Sequence, residues 1–533
     1  MSIDGDFAAR AAANQAALAR NLRRHYDFVV CGSGSAGSVV AGRLAANSAV
    51  SVLLIEAGGS DAVPDVQEPG RWPLNLGSER DWRFTAEPNP HLHARRLPMS
   101  MGKVLGGGSS INVMLWARGH RADWDHVAAQ TGDVGWGYDA VREIYRRVEH
   151  WHGAPDPAYR GTAGPLHVEP NPAGHPLALA TLDAAAAAGI PRYASGNGVM
   201  MERDCGAALT ETATHAGRRH SVFRGYVHPL LDRPNLTVLT GTVVTRVLLE
   251  GRRATGVEML RDGRLERVFA SDEVVLSAGA LQTPKLLMLS GIGDTPALRA
   301  LSIPVARHLP GVGANLQDHV SFGCIWEYRE PIVPQGTGNA VAIYGKSDAA
   351  RETPDLLLCQ AEFPVPSAET AARGIPEHGW TMFTGLAQPL SRGRVSLASA
   401  DPLAPPRIEH NALSHPADLE AARAGVRLMR EIGAAAALAP LVKREVLPGG
   451  GDAATIDAFL RDAAVTYWHQ SCTARMGSDE MSVVDARLRV HGIEHLRIAD
   501  ASVLPRITTG NTMAPSVVIG ERAAELIGRD HGL

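Results

Sequence analysis

Tyr26-Asp-Phe-Val-Val-Cys-Gly-Ser-Gly-Ser-Ala-Gly37 decides how this chain is read. An apolar run breaks into Gly32-x-Gly34-x-x-Gly37 and passes into residues 38–46, whose composition suits a helix. The order is strand, tight turn, helix. Gly32 permits the turn, Gly34 leaves no Cβ between the backbone and a pyrophosphate, and Gly37 lets helix and strand pack closely, so phosphates meet the helix N-terminus. The next apolar run ends in Glu56, 19 residues beyond Gly37, where the fingerprint places its ribose-binding acid at roughly 20. A carboxylate there repels a 2′-phosphate, so the expected ligand is FAD or NAD and not NADP.

The 533 residues exceed the size of a single core, and two or three domains are expected. With 52 Lys+Arg against 56 Asp+Glu the net charge is −4, which offers no basic footprint for nucleic acid or an acidic membrane face. Small, uncharged partners fit better. Cys31, Cys205, Cys324, Cys359 and Cys472 are odd in number and scattered, which argues against a disulfide framework or a zinc site and for a reducing cytoplasm. Residues 1–25, Ala- and Arg-rich with Asp4 and Asp6 early, read as a surface helix or arm rather than a leader. No stretch reaches the roughly 18 consecutive apolar residues of a membrane span.

Beyond Glu56, residues 57–98 form a Pro- and Trp-rich excursion holding Trp72 and Trp82, and long irregular segments inside a domain are commonly functional. Gly102-Lys-Val-Leu-Gly-Gly-Gly-Ser-Ser-Ile-Asn112 comes next, with three consecutive glycines that let backbone approach a flat ligand. The spacing of Trp124, Val127, Val141, Ile144, Tyr145 and Val148 predicts a helix over 123–150, and 178–188 reads as an Ala-rich helix. Residues 153–175, rich in Gly and Pro, mark a crossing into a second domain. Strands are expected at 236–240, 243–249, 254–260 and 273–279, the last running into a helix through 293. After Asn315-Leu-Gln-Asp-His319, a mainly β domain over about 320–465 has strands at 321–328, 355–363, 382–386 and 393–397, with a Pro- and Gly-rich loop between the first two and its clearest helix at 417–437. The C-terminal part holds Thr466-Tyr-Trp-His-Gln-Ser-Cys-Thr-Ala-Arg-Met-Gly477, a strand at 496–500, and Pro505-Arg-Ile-Thr-Thr-Gly-Asn-Thr-Met-Ala-Pro515 leading into a helix over 516–527. No internal repeat suggests a solenoid or propeller.

From about Tyr26 to Ile527 these pieces resemble the glucose–methanol–choline (GMC) oxidoreductases. Residues 102–119 look like that family's first signature and 279–293 like its second, while Pro389-Leu-Ser-Arg-Gly-Arg-Val-Ser-Leu397, Asp401-Pro402 and the 466–477 and 496–515 blocks are similar to its C-terminal region. The resemblance implies an α/β chain, α+β overall. FAD would lie between a Rossmann-type domain over 25–318, with a substrate-side insertion near 153–220, and a mainly β-sheet substrate domain over 319–465. Residues 466–533 would return to the FAD domain carrying the catalytic pair. It implies oxidation of a primary alcohol, with O2 or a quinone taking the electrons.

Carried over residue by residue, the resemblance puts Ser35 and Ala36 at the pyrophosphate, Glu56 at the adenosine ribose and Val244 at the adenine. Asn112, Val113 and the Gly106-Gly107-Gly108 turn would face the isoalloxazine, with Leu105, Ser109, Met114 and Ala278 beside it. Asp500 and Ala501 would hold the ribityl and pyrophosphate end, and Thr512 and Met513 the pyrimidine edge. His469 and Asn511 match the catalytic pair. A neutral His supplies a base of suitable pKa for the hydroxyl proton, and Asn511 can hold the oxygen without titrating. Trp468, against both cofactor and substrate, and Trp380 are expected to wall an apolar pocket.

Departures from the family pattern carry expectations too. Ile111 stands where some members carry a flavin-tethering His, so the FAD should be noncovalent. Ser321 replaces a Glu that meets a trimethylammonium group in the choline branch, which disfavours choline. Trp468-His-Gln470 looks more like the bacterial oxidases of furanic and aromatic alcohols. Cys472 replaces a Gly and reads as a small buried filler. His91, His93, His215, His220, His491 and His495 lack helical i, i+4 spacing with a carboxylate partner, so no metal site is expected. The competing readings are a quinone-linked choline-type dehydrogenase, a cyanohydrin-cleaving lyase, and a nicotinamide dehydrogenase or silent nucleotide binder.

Overall fold

Strands that read as unbroken apolar runs must be covered on both faces, as parallel strands flanked by helices are. In the computed structural model, which describes residues 3–171 and 174–533, Val52–Ile55 is buried at every position and pairs in parallel with His25–Cys31. The sheet runs Leu236–Leu239, Val52–Ile55, His25–Cys31, Arg264–Leu276, with Leu496–Ile498 parallel on the far side of the last. The leading half of Arg264–Leu276 turns to an antiparallel meander with Arg253–Arg261 and Val243–Glu250. Helix Ser35–Ala45 lies against the C-terminal helix Met513–His531, and a Cβ on Gly520 would come within 2.7 Å of the Val39 Cβ, so glycine sets their closeness. The helix Ile3–Arg20 guards the sheet edge: Gln15 donates to the Leu236 carbonyl at 2.9 Å and accepts from the Val238 amide at 2.9 Å, occupying backbone groups that an edge strand otherwise exposes.

A second, antiparallel sheet is ordered Val442–Leu447, Val320–Tyr328, Gly379–Leu386, Leu356–Ala361, Val341–Gly345 and Gly206–Leu209, with Val465–Thr466 paired to the start of Val320–Tyr328. Helix Pro416–Gly433 packs on one face. Side chains alternate along a strand, so Leu356 and Leu358 join the core beneath the helix while Leu357, Cys359 and Ala361 line a cavity on the other face.

Several expectations need correction. The helix expected over 123–150 is two, Arg121–Thr131 and Tyr138–Val148, because Gly132 adopts φ +69° and ends the first. The loop after residue 328 contains the strand Val341–Gly345. The segment near 393–397 pairs with Arg407–Glu409 in a separate ribbon and does not extend the second sheet. The C-terminal helix starts at Met513, two residues ahead of Pro515, since the first turn tolerates a residue without an N–H.

Candidate active site

Between the two sheets lies a cavity of about 1370 Å³, larger than the roughly 300–1,000 Å³ of ordinary small-ligand sites. Residues just beyond the carboxyl ends of the parallel strands build its first wall, the place where open α/β sheets bind ligands. Gly32 succeeds His25–Cys31, Glu56 succeeds Val52–Ile55, Ser277–Gly279 succeeds Arg264–Leu276 and Asp500 lies just past Leu496–Ile498, and all line the cavity. Gly32 adopts φ +102°. A Cβ placed on Gly34 or Gly108 would meet no protein atom within 4 Å and would stand in the cavity. These are cradles for an approaching ligand. Glu56 accepts from the Ser33 amide and hydroxyl at 3.0 and 2.7 Å and from the Gly58 amide at 2.8 Å. Asp500 accepts from the Gly279 and Ser502 amides, both at 2.9 Å, and from the Thr283 hydroxyl at 2.5 Å. Burial raises the pKa of both carboxyls against these bonds. The donor set, the glycine cradles and the size fit a dinucleotide with a flat ring system.

At the other end, His469 comes from the loop after Val465–Thr466 of the second sheet and Asn511 from the loop before the C-terminal helix, so the pair spans both halves of the molecule. Asn511 Nδ2 is 3.1 Å from His469 Nε2. The other ring nitrogen, Nδ1, is 2.9 Å from His319 Nδ1, and His319 Nε2 is 3.2 Å from the Ala387 carbonyl oxygen. A carbonyl only accepts, so the His319 tautomer that satisfies Ala387 carries its proton on Nε2 and offers a lone pair at Nδ1. With His319 in that tautomer His469 donates from Nδ1, and its Nε2 is the basic nitrogen beside Asn511. Burial first, and the His319 ring second, hold the His469 pKa well below the usual histidine range; Asp318 opposes them. Asp318, itself buried, accepts from the His469 amide at 2.8 Å and from the Thr466 hydroxyl. Residues 317–319 and 467–471 are laced together by backbone bonds, Gln317 with Ser471 in both directions and the Tyr467 amide to the His319 carbonyl.

Of the residues singled out in the sequence, Gly32, Gly34, Ser35, Ala36, Glu56, Gly107, Gly108, Ser109, Asn112 and Val113 line the cavity. So do Val244, Ala278, Trp468, His469, Asp500, Ala501, Asn511, Thr512 and Met513. Gly37, Leu105, Gly106 and Met114 stand behind this wall. Gly37 packs against Gly32 and Ser277, where a Cβ would collide, and the Gly106 amide donates to the Ser33 hydroxyl at 3.2 Å. Trp468 has φ +58° and its half-exposed ring opens on the cavity. Cys472 has φ +75°, a region that favours glycine, and is fully buried in the core of the first half.

Trp380 is a correction. It is fully buried and stacks on Trp326 with ring centroids 4.4 Å apart beneath helix Pro416–Gly433. Its strand neighbour Phe383, on the opposite face, lines the cavity in its place. Sequence reasoning also missed His319 as a partner of His469, and Arg219. Buried Arg219 donates to the Val66 and Ser109 carbonyls at 2.6 and 3.1 Å and to Asn112 Oδ1 and O at 2.8 and 2.7 Å, bracing the glycine turn from behind. The motif block around His319 was a signal for the first; nothing local marked the second.

A dinucleotide cradle facing a histidine–asparagine pair across one cavity defines a flavin-type alcohol oxidoreductase. Residues 26–321 and 389–520 match the N- and C-terminal models of the GMC oxidoreductase family, and the chain belongs to that family. Its cofactor is FAD. The chain is 39% identical over 529 residues to the oxygen-dependent choline dehydrogenase of Sinorhizobium fredii, covering 94% of this chain and 95% of that protein. Among solved structures, pyridoxine 4-oxidase from Mesorbium loti superposes with a TM-score of 0.90 at 32% identity, covering 95% of this chain and 99% of the other. A fungal aryl-alcohol oxidase superposes at 0.82 with 26% identity, covering 96% and 100%. No helix among the described residues is long and apolar enough to cross a membrane.

Proposed function

We propose that this enzyme oxidises an uncharged primary alcohol, small and aromatic, furanic or aliphatic, to its aldehyde. The observation that carries the reading is His469 Nε2 set 3.1 Å from Asn511 Nδ2 in the cavity wall. A hydroxyl seated beside both, in place of their direct contact, donates to the first and accepts from the second. FAD, when bound, supplies the two-electron acceptor for the hydrogen leaving the alcohol carbon. His469 takes the hydroxyl proton on Nε2, and Asp318 favours the imidazolium so formed. Asn511 steadies the charge on oxygen without titrating. Glu56, Val244, Asp500 and the glycine turns would hold the cofactor, and Arg219 keeps Asn112 in place.

The lining charges argue against a cationic substrate. Glu369 is paired with Arg95, Glu87 with Arg96 at 3.5 Å, and Glu56 and Asp500 are saturated by amides and hydroxyls. Among the described residues this leaves no unpartnered carboxylate in the cavity for a quaternary ammonium. Ser321 is buried away from it. The choline named for the sequence relatives is therefore the substrate to beat. Their oxygen dependence, and the oxidases among the structural neighbours, support O2 as acceptor. A panel of benzyl, furfuryl and short aliphatic alcohols with choline, monitored by peroxide release and dye reduction in parallel, tests this. Faster turnover of choline than of every neutral alcohol would reject the substrate class, and failure of all alcohols to bleach the flavin anaerobically would favour a lyase.

A further inference from the structure

Away from the catalytic cavity, five histidines converge on one surface patch. His150 is on the strand Glu149–Trp151 and pairs in register with His167 on the parallel strand Leu166–Pro170. His152, two residues on from His150, falls on the same face. His152 Nε2 lies 2.7 Å from His167 Nδ1. One ring nitrogen from each of His150, His152 and His167 lies within 4.8 Å of the others. His215, from the hairpin Thr214–His215 and Arg218–Arg219, stacks on His167 with centroids 3.9 Å apart, and His220 meets the same ring edge-on at 4.8 Å. Crowding this many imidazoles costs repulsion whenever more than one is protonated.

We propose that His150, His152 and His167 bind one divalent transition-metal ion with zinc as the type, solvent completing the shell. An all-imidazole set suits Zn2+, Ni2+ or Cu2+ and not the oxygen-seeking Mg2+ or Ca2+. Tetrahedral Zn–N bonds of about 2.0–2.1 Å set ligand nitrogens roughly 3.4 Å apart, so the 2.7 Å contact opens and the wider ones, within 4.8 Å, close by up to about 1.4 Å. His152, the exposed member of the three, is the one least held by packing. The ligands lie on either side of the Gly- and Pro-containing loop 153–165, so the ion fastens the two ends of that loop together. None of the five histidines lines the catalytic cavity.

The test uses the untagged, FAD-loaded enzyme, stripped with a chelator and titrated with ZnCl2 by calorimetry, with metal analysis after desalting. About one Zn2+ per chain is expected, together with slower proteolysis within 153–165. His152→Ala, at an exposed position that should not disturb folding, is expected to weaken binding at least tenfold, and His152→Ala/His167→Ala to abolish saturation at micromolar Zn2+ while flavin absorbance and circular dichroism stay unchanged. His469→Ala should bind zinc like the parent. No saturable binding to the stripped parent, unchanged affinity in the double variant, or loss of the ion in His469→Ala instead would each overturn the proposal.

Discussion

The Ala387 carbonyl, itself no part of the cavity wall, reaches His469 through His319, and this chain of contacts holds Nδ1 of His469 and leaves Nε2 beside Asn511 as the nitrogen placed to act as a base. His469→Ala is expected to keep FAD but slow anaerobic flavin reduction by roughly 10²–10⁴-fold, the range for a lost general base. Asn511→Ala should lose less, because a single missing donor to a developing oxyanion costs roughly 2.7–4 kcal/mol at most. Both act on one oxygen, so the double variant should fall short of the summed losses. Wild-type reduction rates in a yellow, folded His469→Ala enzyme would remove the residue from the mechanism. The pH profile rests on the same geometry. A base is lost as pH falls through its pKa, and burial depresses that of His469, so the acid limb of kcat/KM should lie below the roughly 6.5 of an ordinary histidine. His319→Asn removes the second cause of the depression, and its acid limb should move upward; an unmoved limb would show that the His319 ring does not act on His469.

At the scale of elements, the strand Gly379–Leu386 separates stability from substrate contact, because its alternate side chains face different surroundings. Trp380→Ala should cost roughly 3–5 kcal/mol of stability, as large buried aromatics do, and leave KM for a good alcohol nearly unchanged. Phe383→Ala should do the reverse, a comparison read by thermal melts beside steady-state kinetics. Alternation could have told these two residues apart in the sequence, had Trp380 been assigned a face. The fingerprint strand and helix, Glu56 and the glycine turn were legible because each announces itself within a few residues. His319 and His469 stand 150 residues apart and meet only through pairing of two segments, which no local period reveals. Gly132 is visible in the sequence, but helical spacing on both sides of it hides the positive φ that ends the first helix there. The His150, His152 and His167 group escapes a search for helical i, i+4 spacing because its members sit on and beside strands, where the period is two.

The whole molecule places two independently cored sheets on either side of one cavity, so whatever fills the cavity joins the halves and aligns His469 from one with Asn511 from the other. Tight ligands stabilise the state that binds them, by about 2.7 kcal/mol when present at 100 times their Kd. FAD should therefore raise the melting temperature of the apoprotein in a concentration-dependent way, and flavin removal should loosen the contact between the sheets before either unfolds. The bond holding it is expected to be noncovalent. Ile111 lines the cavity where a tether would arise, and His469 is the histidine among the described residues that does so, its Nδ1 held by His319 and its Nε2 beside Asn511 in the role of base. Acid precipitation should leave a colourless pellet and release the flavin to the supernatant; yellow colour retained in the washed pellet would mean a covalent link and would require another lining nucleophile.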